Sequence, residues 1–331
     1  MASVTEIENC YKYILGRTMA DEEVHYVQTA GDALAAIPVD DLRRDFFRSE
    51  EFHGRYLETV FENLVPKSKI VAYDTELGFR IYLDLRQLHL SFGVLNEIYE
   101  RHEIDILRQL IPDHGTFFDI GANCGYYSLA IASRPGFAGS VVAFEPLPSL
   151  HDLFRRSVGE NGLDRRIIVH QVALGHKRGT LPLTDAESTI NAGATELAIG
   201  EAPAGSRVVA VETLDHLAER FSPDVMKIDV QGAEALMIHG GARTIEKHQP
   251  TMLFGICPET LHRVSRAAPQ DLQHWLTDRG YKLWTVEADR LKPISNDDNL
   301  GNTVSHSDVV SVLAVHDGRM HDVRSRLGGL L

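Results

Sequence analysis

Thr116-Phe-Phe-Asp-Ile-Gly-Ala-Asn-Cys-Gly-Tyr-Tyr-Ser-Leu-Ala-Ile-Ala-Ser133 sets the reading of the whole chain. Phe117 to Ile120 is a short apolar strand and Gly121 to Gly125 a tight turn; the residues that follow form a helix whose apolar face recurs at Leu129 and Ala132. A ligand lying on such a turn needs close approach to the backbone, and Gly121 and Gly125 carry no Cβ to obstruct it.

The turn has two glycines, spaced G-x-x-x-G, behind the carboxylate of Asp119. A dinucleotide pyrophosphate asks instead for G-x-G-x-x-G and would be repelled by that acid. S-adenosylmethionine carries no phosphate but does carry an ammonium and a sulfonium, so Asp119 is expected near its methionine end. The next apolar run, Val141 to Phe144, ends in Glu145-Pro146, which puts Glu145 at a strand tip where it can take the two ribose hydroxyls.

Five motifs now stand in order: Asp119-Ile-Gly-Ala-Asn-Cys-Gly125, Phe144-Glu-Pro146, Ala173-Leu-Gly175, Thr213-Leu-Asp215 and Lys227-Ile-Asp-Val-Gln-Gly-Ala-Glu234. Together they resemble the FkbM-type S-adenosylmethionine-dependent methyltransferases over roughly residues 75 to 315. The resemblance implies a class I, Rossmann-like α/β fold with a doubly wound seven-stranded sheet, one late strand antiparallel. It implies S-adenosyl-L-methionine as cofactor, held by Asp119, Gly121, Ala122, Asn123, Gly125, Phe144, Glu145 and Pro146. It also implies that the segment before the glycine turn folds over the cofactor, with Tyr99 and Glu100 touching it. One departure stands out: Pro250-Thr-Met-Leu-Phe-Gly255 has glycine where the family commonly has a carboxylate, and Glu259 is the nearest substitute.

Strands are expected at 116–120, 140–144, 167–172, 225–230, 251–256, 281–285 and 308–314, alternating with helical patterns as in a parallel sheet covered on both faces. In the fourth strand Lys227 and Asp229 share a face. A lysine there is costly to bury without a partner, so an ion pair with Asp229, Glu234 or another carboxylate is implied. Asp229 ends the strand and Glu234 opens the next helix, so both acids are expected in the cleft beside the glycine turn. The catalytic candidates are therefore Asp229, Lys227 and Glu234. An acceptor hydroxyl must lose a proton during methyl transfer; Asp229 serves as base, or a divalent metal at Asp229, Mg²⁺ or Mn²⁺, lowers the hydroxyl's pKa. A purely structural network of the three is the competing reading. His216 and His239 are expected to be solvated.

Residues 1–60 read as a separate all-α domain of three helices, and residues 61–115 as a linker and helical cap over the cofactor site, with a strand at Phe79–Asp84 and a turn at Pro66–Ile70. Residues 116–331 form the methyltransferase domain. Tyr11-x-x-x-Leu-Gly-Arg17 with Phe46-Phe-Arg-Ser-Glu-Glu-Phe52 is similar to the DUF4214 module that accompanies some bacterial surface-polysaccharide enzymes. The segment reads equally as a glycan-binding module and as a packing or dimerising cap, so a homodimer stands among the expectations. Residues 179–212, small and polar in the middle, read as part of an acceptor-side lid, with simple disorder as the competing reading.

A net charge of −14 opposes a nucleic-acid partner, and 44% hydrophobic content suffices for a sizeable core. Three dispersed cysteines and no signal-peptide pattern point to the cytoplasm, and no apolar run is long enough for a membrane span. The expected activity is O-methylation of a small-molecule or glycan hydroxyl, foremost a sugar of a surface polysaccharide or glycolipid. A natural-product O-methyltransferase, a nicotinamide-dependent oxidoreductase and a non-catalytic scaffold are the alternatives.

Overall fold

The computed structural model describes residues 70–183, 206–287, 290–295, 300 and 309–328, with isolated positions before residue 25. The chain divides into two compact units, Met1–Lys69 and Ile70–Leu331. The three helices expected in residues 1–60 lie outside the described residues, as does the middle of the expected lid.

The strands of the second unit are β1 (Ile70–Asp74), β2 (Arg80–Asp84), β3 (Thr116–Ile120), β4 (Ser140–Phe144), β5 (Ile167–His170), β6 (Ala173–Leu174), β7 (Gly179–Pro182), β8 (Val208–Glu212), β9 (Val225–Ile228), β10 (Thr251–Ile256), β11 (Tyr281–Val286), β12 (Leu291–Ile294) and β13 (Val310–His316). The central sheet has eight strands in the order β12-β11-β13-β10-β9-β3-β4-β5. From β5 to β10 the pairs are parallel, while β13 runs antiparallel to both β10 and β11. All seven expected strands are present. The eighth, β12, pairs antiparallel with β11 at the sheet edge; its Lys292-Pro293 interrupts the apolar run that would have marked it.

The strands are apolar on both faces because helices cover both. Phe117, Val141, Ala143, Val225 and Leu253 pack one way, with Leu107, Leu129, Phe154 and Val323. Their neighbours Phe118, Ile120, Val142, Met226, Ile228 and Phe254 pack the other way, with Ile238, Ile245, Leu261 and Leu272. This is the doubly wound, three-layer arrangement that the sequence predicts, and the reversal of winding at β3 leaves a crevice beyond the strands' carboxyl ends.

Two smaller sheets flank it. Of the turn expected at Pro66–Ile70 the described residues include Ile70 alone, which opens β1, and β1 pairs with β2 as an antiparallel hairpin. Asn161, at the end of the helix Pro148–Glu160, accepts from Arg80 N and donates to Arg80 O, tying this hairpin to the main body. The ends of the expected lid are ordered as strands: β8 lies between β6 and β7, parallel to the first and antiparallel to the second.

Candidate active site

The turn after β3 holds its shape through three left-handed residues, Gly121 (φ +81°), Asn123 (φ +53°) and Gly125 (φ +88°). The glycines answer to the chain rather than to a ligand. A Cβ on Gly121 would overlap the backbone carbonyl of Asp229, and one on Gly125 would enter the Phe154 ring. Gly125 does not reach the cavity; its role is to let the helix Tyr126–Ala132 start against the helix Pro148–Glu160.

Asp119 also departs from expectation. It is fully buried, and its Oδ2 accepts from Ser128 N at 3.0 Å and Ser128 Oγ at 2.6 Å. Ser128 is the third residue of the helix Tyr126–Ala132, whose first amides lack intrahelical partners. The acid of the motif is thus turned back onto its own helix and stays off the cavity wall.

The cavity, about 430 Å³, lies beyond the carboxyl ends of β3, β4 and β9, within the range of small-molecule sites. Gly121, Ala122, Asn123, Phe144, Glu145, Pro146, Lys227 and Asp229 line it, as do Tyr99 and Glu100 from the segment before the turn. Glu145 is 5% exposed; Oε2 accepts from Asn123 N and Oε1 from Leu147 N, each at 2.8 Å. One lone pair on each oxygen stays unused by these bonds. Burial, opposed by the two amides, pushes its carboxyl up to about 7.

At the other end Lys227 is the hub. Its ammonium donates to Asp229 Oδ2 at 3.2 Å and to Gly121 O at 3.4 Å, and lies 4.9 Å from the centre of the Tyr127 ring. Burial disfavours its charge, but Asp229, Asp119 and Glu100 outweigh burial and its pKa is raised. Gln231 Nε2 donates to Asp229 Oδ1 at 3.0 Å. Glu100, in a left-handed conformation (φ +42°) before the helix Arg101–Leu110, accepts from the Tyr127 hydroxyl. Burial raises its carboxyl, with Lys227 pulling the other way.

Glu234 is not a cavity group. It is 1% exposed, and its Oε1 accepts from Val230 N and Gly232 N, closing the turn that carries Gln231. Glu259, the possible substitute at the departure, is exposed and paired with Arg263 on its own helix. Gly255 faces Asp229: a Cβ there would stand 3.5 Å from Asp229 Cγ, in ordinary van der Waals contact, and Gly255 itself is not among the residues that line the cavity. Among the described residues no three His, Cys, Asp or Glu side chains are grouped to hold a metal, so the Mg²⁺ or Mn²⁺ expectation finds no donor set there. His216 and His239 are exposed. Asp215 of the fourth motif caps the helix Ala242–His248 through Thr244 N and Oγ1.

Tyr127, Gln231 and the pair Val172–Ala173 are wall residues that the sequence reading passed over. Tyr127 stands two residues after Gly125 in the opening stretch, and Ala173 stood in a quoted motif without a role.

A crevice at the reversal of a doubly wound sheet, with a buried acid ending the strand beside β3, defines a site of the class I methyltransferase kind. Residues 119–283 match the methyltransferase FkbM domain, and this part of the chain belongs to that family. The methyltransferase sdnD of Sordaria araneosa is 31% identical over 103 residues, which is 31% of this chain and 38% of that protein. The chain therefore matches well under two thirds of that relative's length. Among solved structures, methyltransferase FkbM from Methylobacillus flagellatus KT is 16% identical with a TM-score of 0.40, covering 61% of this chain and 44% of that one. A SAM-dependent O-methyltransferase from Thermotoga maritima is 14% identical with a TM-score of 0.36, covering 78% and 81%.

The family implies S-adenosyl-L-methionine, and the wall suits it chemically. A carboxylate with free lone pairs can accept two hydroxyls, Phe144, Leu150, Val172 and Leu174 offer an apolar surface for a flat base, and the acids at the Lys227 end can face a cationic centre. No helix among the described residues is long and apolar enough to cross a membrane.

Proposed function

We propose that the protein is an S-adenosylmethionine-dependent O-methyltransferase whose acceptor is a sugar hydroxyl of a surface polysaccharide or glycolipid. Glu145 holds the ribose, the apolar surface of Phe144, Leu150 and Leu174 takes the adenine, and the 121–123 turn runs along the ligand between them. The bound cofactor supplies an electrophilic methyl group on a sulfonium. Asp229 receives the acceptor's proton: Lys227 and Gln231 fix its two oxygens, and each oxygen keeps a lone pair for the incoming hydroxyl.

One observation carries the reading. Asp229 stands on the cavity wall, immediately behind the Gly121 turn, so a hydroxyl entering the cavity there meets a carboxylate already held by Lys227 and Gln231. Alignment of this kind, with reacting atoms brought to about 3 Å, is the main resource of a displacement reaction. The sugar acceptor is supported by the DUF4214-like pattern in residues 1–60.

The test is transfer of radiolabelled methyl from S-adenosylmethionine to a panel of cell-envelope glycans and to aglycone hydroxyls. Asp229→Asn should lose at least about a hundredfold in turnover at saturating cofactor, the scale of a lost general base. Transfer to nitrogen or carbon, or full activity in the variant, refutes this assignment.

A further inference from the structure

Tyr99 and Glu100 reach the cavity from a strap, residues 96–100, between the helices Leu88–Leu95 and Arg101–Leu110. Its backbone is one that a free chain disfavours: Glu97 (φ +57°) and Glu100 (φ +42°) are both left-handed, and neither is glycine. Such a conformation persists where its surroundings over-determine it. Part of the hold is local. Ile98 N and Tyr99 N both donate to Gly93 O, at 2.9 and 3.1 Å, and a Cβ on Gly93 would stand only 2.9 Å from Tyr99 Cβ.

The rest comes from the tip of the β1–β2 hairpin, residues 75–79. Glu97 Oε1 accepts from Glu76 N at 2.9 Å, a bond between residues 21 apart in the chain. Beside it runs an aromatic chain: the Tyr126 ring lies 5.7 Å from Phe79 at the tip and 5.7 Å, edge-on, from Tyr99 in the strap. The hairpin is itself pinned to the helix Pro148–Glu160 and its end. Asn161 engages both backbone groups of Arg80, and Ser157 Oγ accepts from Tyr82 N at 3.0 Å. The tip is therefore a fixed post, and Glu97 is the polar tie between post and strap. Arg101, 4.0 Å from the other Glu97 oxygen, also pairs with Asp105 at 3.4 Å, so losing Glu97 does not strand it.

We infer that Glu97 is a positioning residue: by accepting from Glu76 N it latches the strap to the hairpin tip and so keeps Tyr99 and Glu100 in the cavity wall. Its effect on donor binding rests on the reading that S-adenosylmethionine occupies this cavity. The latch lies outside that site, since neither Glu97 nor Glu76 is among the residues that line it. Without the latch the strap keeps its bonds to Gly93 but loses its tie to the post. The arrangement competent to bind is then populated for a smaller fraction of the time, and apparent affinity falls by that fraction.

Three variants separate the latch from the fold. Glu97→Ala removes the acceptor, and Glu97→Gln keeps it as an amide carbonyl. Glu76→Pro removes the donor alone. Glu76 is the first interior position of the turn Thr75–Gly78, closed by Gly78 N on Thr75 O at 3.0 Å, and neither Glu76 nor Leu77 is left-handed, so proline fits there. Calorimetry with S-adenosylmethionine on the full chain should show at least about fivefold weaker binding in Glu97→Ala and in Glu76→Pro. The two together should lose no more than either alone, and Glu97→Gln should bind nearly as the parent does. Hydrogen exchange on the ligand-free proteins reads the strap itself: the Ile98 and Tyr99 amides should exchange at least about fivefold faster in Glu97→Ala and Glu76→Pro, but not in Glu97→Gln. Parental affinity in either single variant, additive losses, or a Glu97→Gln protein as weak as Glu97→Ala overturns the inference. Faster exchange in a chain whose parent binds no S-adenosylmethionine removes the cofactor reading and leaves the latch; unchanged exchange removes the latch whatever binds. Should Glu97→Ala fail to fold, Glu76→Pro carries both comparisons.

Discussion

Lys227 stands directly across the β3–β9 pair from Asp119, and on the cavity side Asp229 and Tyr127 meet its ammonium. One ammonium therefore balances carboxylates on two neighbouring strands and, through Glu100, on the segment above them. Lys227→Met should lower stability by about 3–5 kcal/mol, the cost of leaving buried charge unpaired. The double variant Lys227→Met/Asp119→Asn should recover part of the loss. Thermal or urea unfolding measures both, and a Lys227→Met protein as stable as the parent would show that the acids already fold in the protonated state.

Glu145 gives a pH signature of opposite sign for folding and for binding. Its carboxyl is held up to about 7 in the fold, against about 4.3 in an unfolded chain. The native state then binds a proton that the unfolded state releases, so this contribution stabilises at low pH and is lost as pH rises through about 7. Glu234, also pushed up to about 7 by burial, acts in the same direction. Cofactor affinity should instead rise with pH through the same window, because the ionised carboxylate is the better acceptor for ribose hydroxyls. Glu145→Gln should flatten the affinity profile, and Glu145→Ala should cost about 1.5–3 kcal/mol of binding. A pH-independent dissociation constant for the parent protein would contradict the ribose role.

The sheet was legible from the sequence because strands covered on both faces are continuous apolar runs closed by glycine, proline or an acid. Phe117 to Ile120 and Val141 to Phe144 are of that kind. The edge hairpin β1–β2 and the edge strand β12 were harder, since half-exposed strands such as Ile70–Asp74 and Leu291–Ile294 carry lysine, proline or aspartate in their runs. At the site, strand-end acids were found but not their directions. Asp119 and Glu145 end neighbouring strands, yet the first turns back to an unpaired helix amide and the second stays on the cavity wall. Glu234 likewise closes its own turn. Which way an acid turns depends on the backbone amides that surround it, and these are set by left-handed residues such as Asn123 and Gln231 that no spacing rule marks.

The two glycines of the turn make separable predictions. Gly125→Ala places a methyl in the Phe154 ring at a left-handed φ, so it should destabilise the fold, by about 1–3 kcal/mol for overpacking plus about 1 kcal/mol or more for strain. Adding Phe154→Leu should return the packing part only. Gly121→Ala drives against the Asp229 carbonyl, and backbone cannot rotate away as a ring can. It should therefore weaken cofactor binding as well as stability, because the turn and the β9 loop must separate. Unfolding curves and calorimetry on the same samples distinguish the two; a Gly125→Ala variant with normal stability and lost binding would reverse the assignment.

Gly255 offers the cleanest probe of the acceptor side. Its added Cβ would meet Asp229 Cγ at 3.5 Å, Asp229 Oδ1 at 3.6 Å and Val309 Cγ1 at 3.7 Å, which are ordinary van der Waals separations. The residue lies inside β10, paired with Ser311 of β13, where an extended backbone accepts any side chain. Gly255→Ala should therefore keep or slightly raise stability, by about 0.4–1 kcal/mol through the unfolded chain. Gly255→Val adds two methyl groups on the side of the strand that faces Asp229 and Val309. Cofactor affinity should stay within about twofold, while kcat/KM for the acceptor falls at least about tenfold, mostly through KM, since bulk beside Asp229 removes binding shared by ground and transition states. Unchanged acceptor kinetics in a folded, cofactor-binding Gly255→Val protein would move the acceptor to another part of the cavity. Lost cofactor binding in that variant would place the methionine end of the donor, rather than the acceptor, beside Gly255.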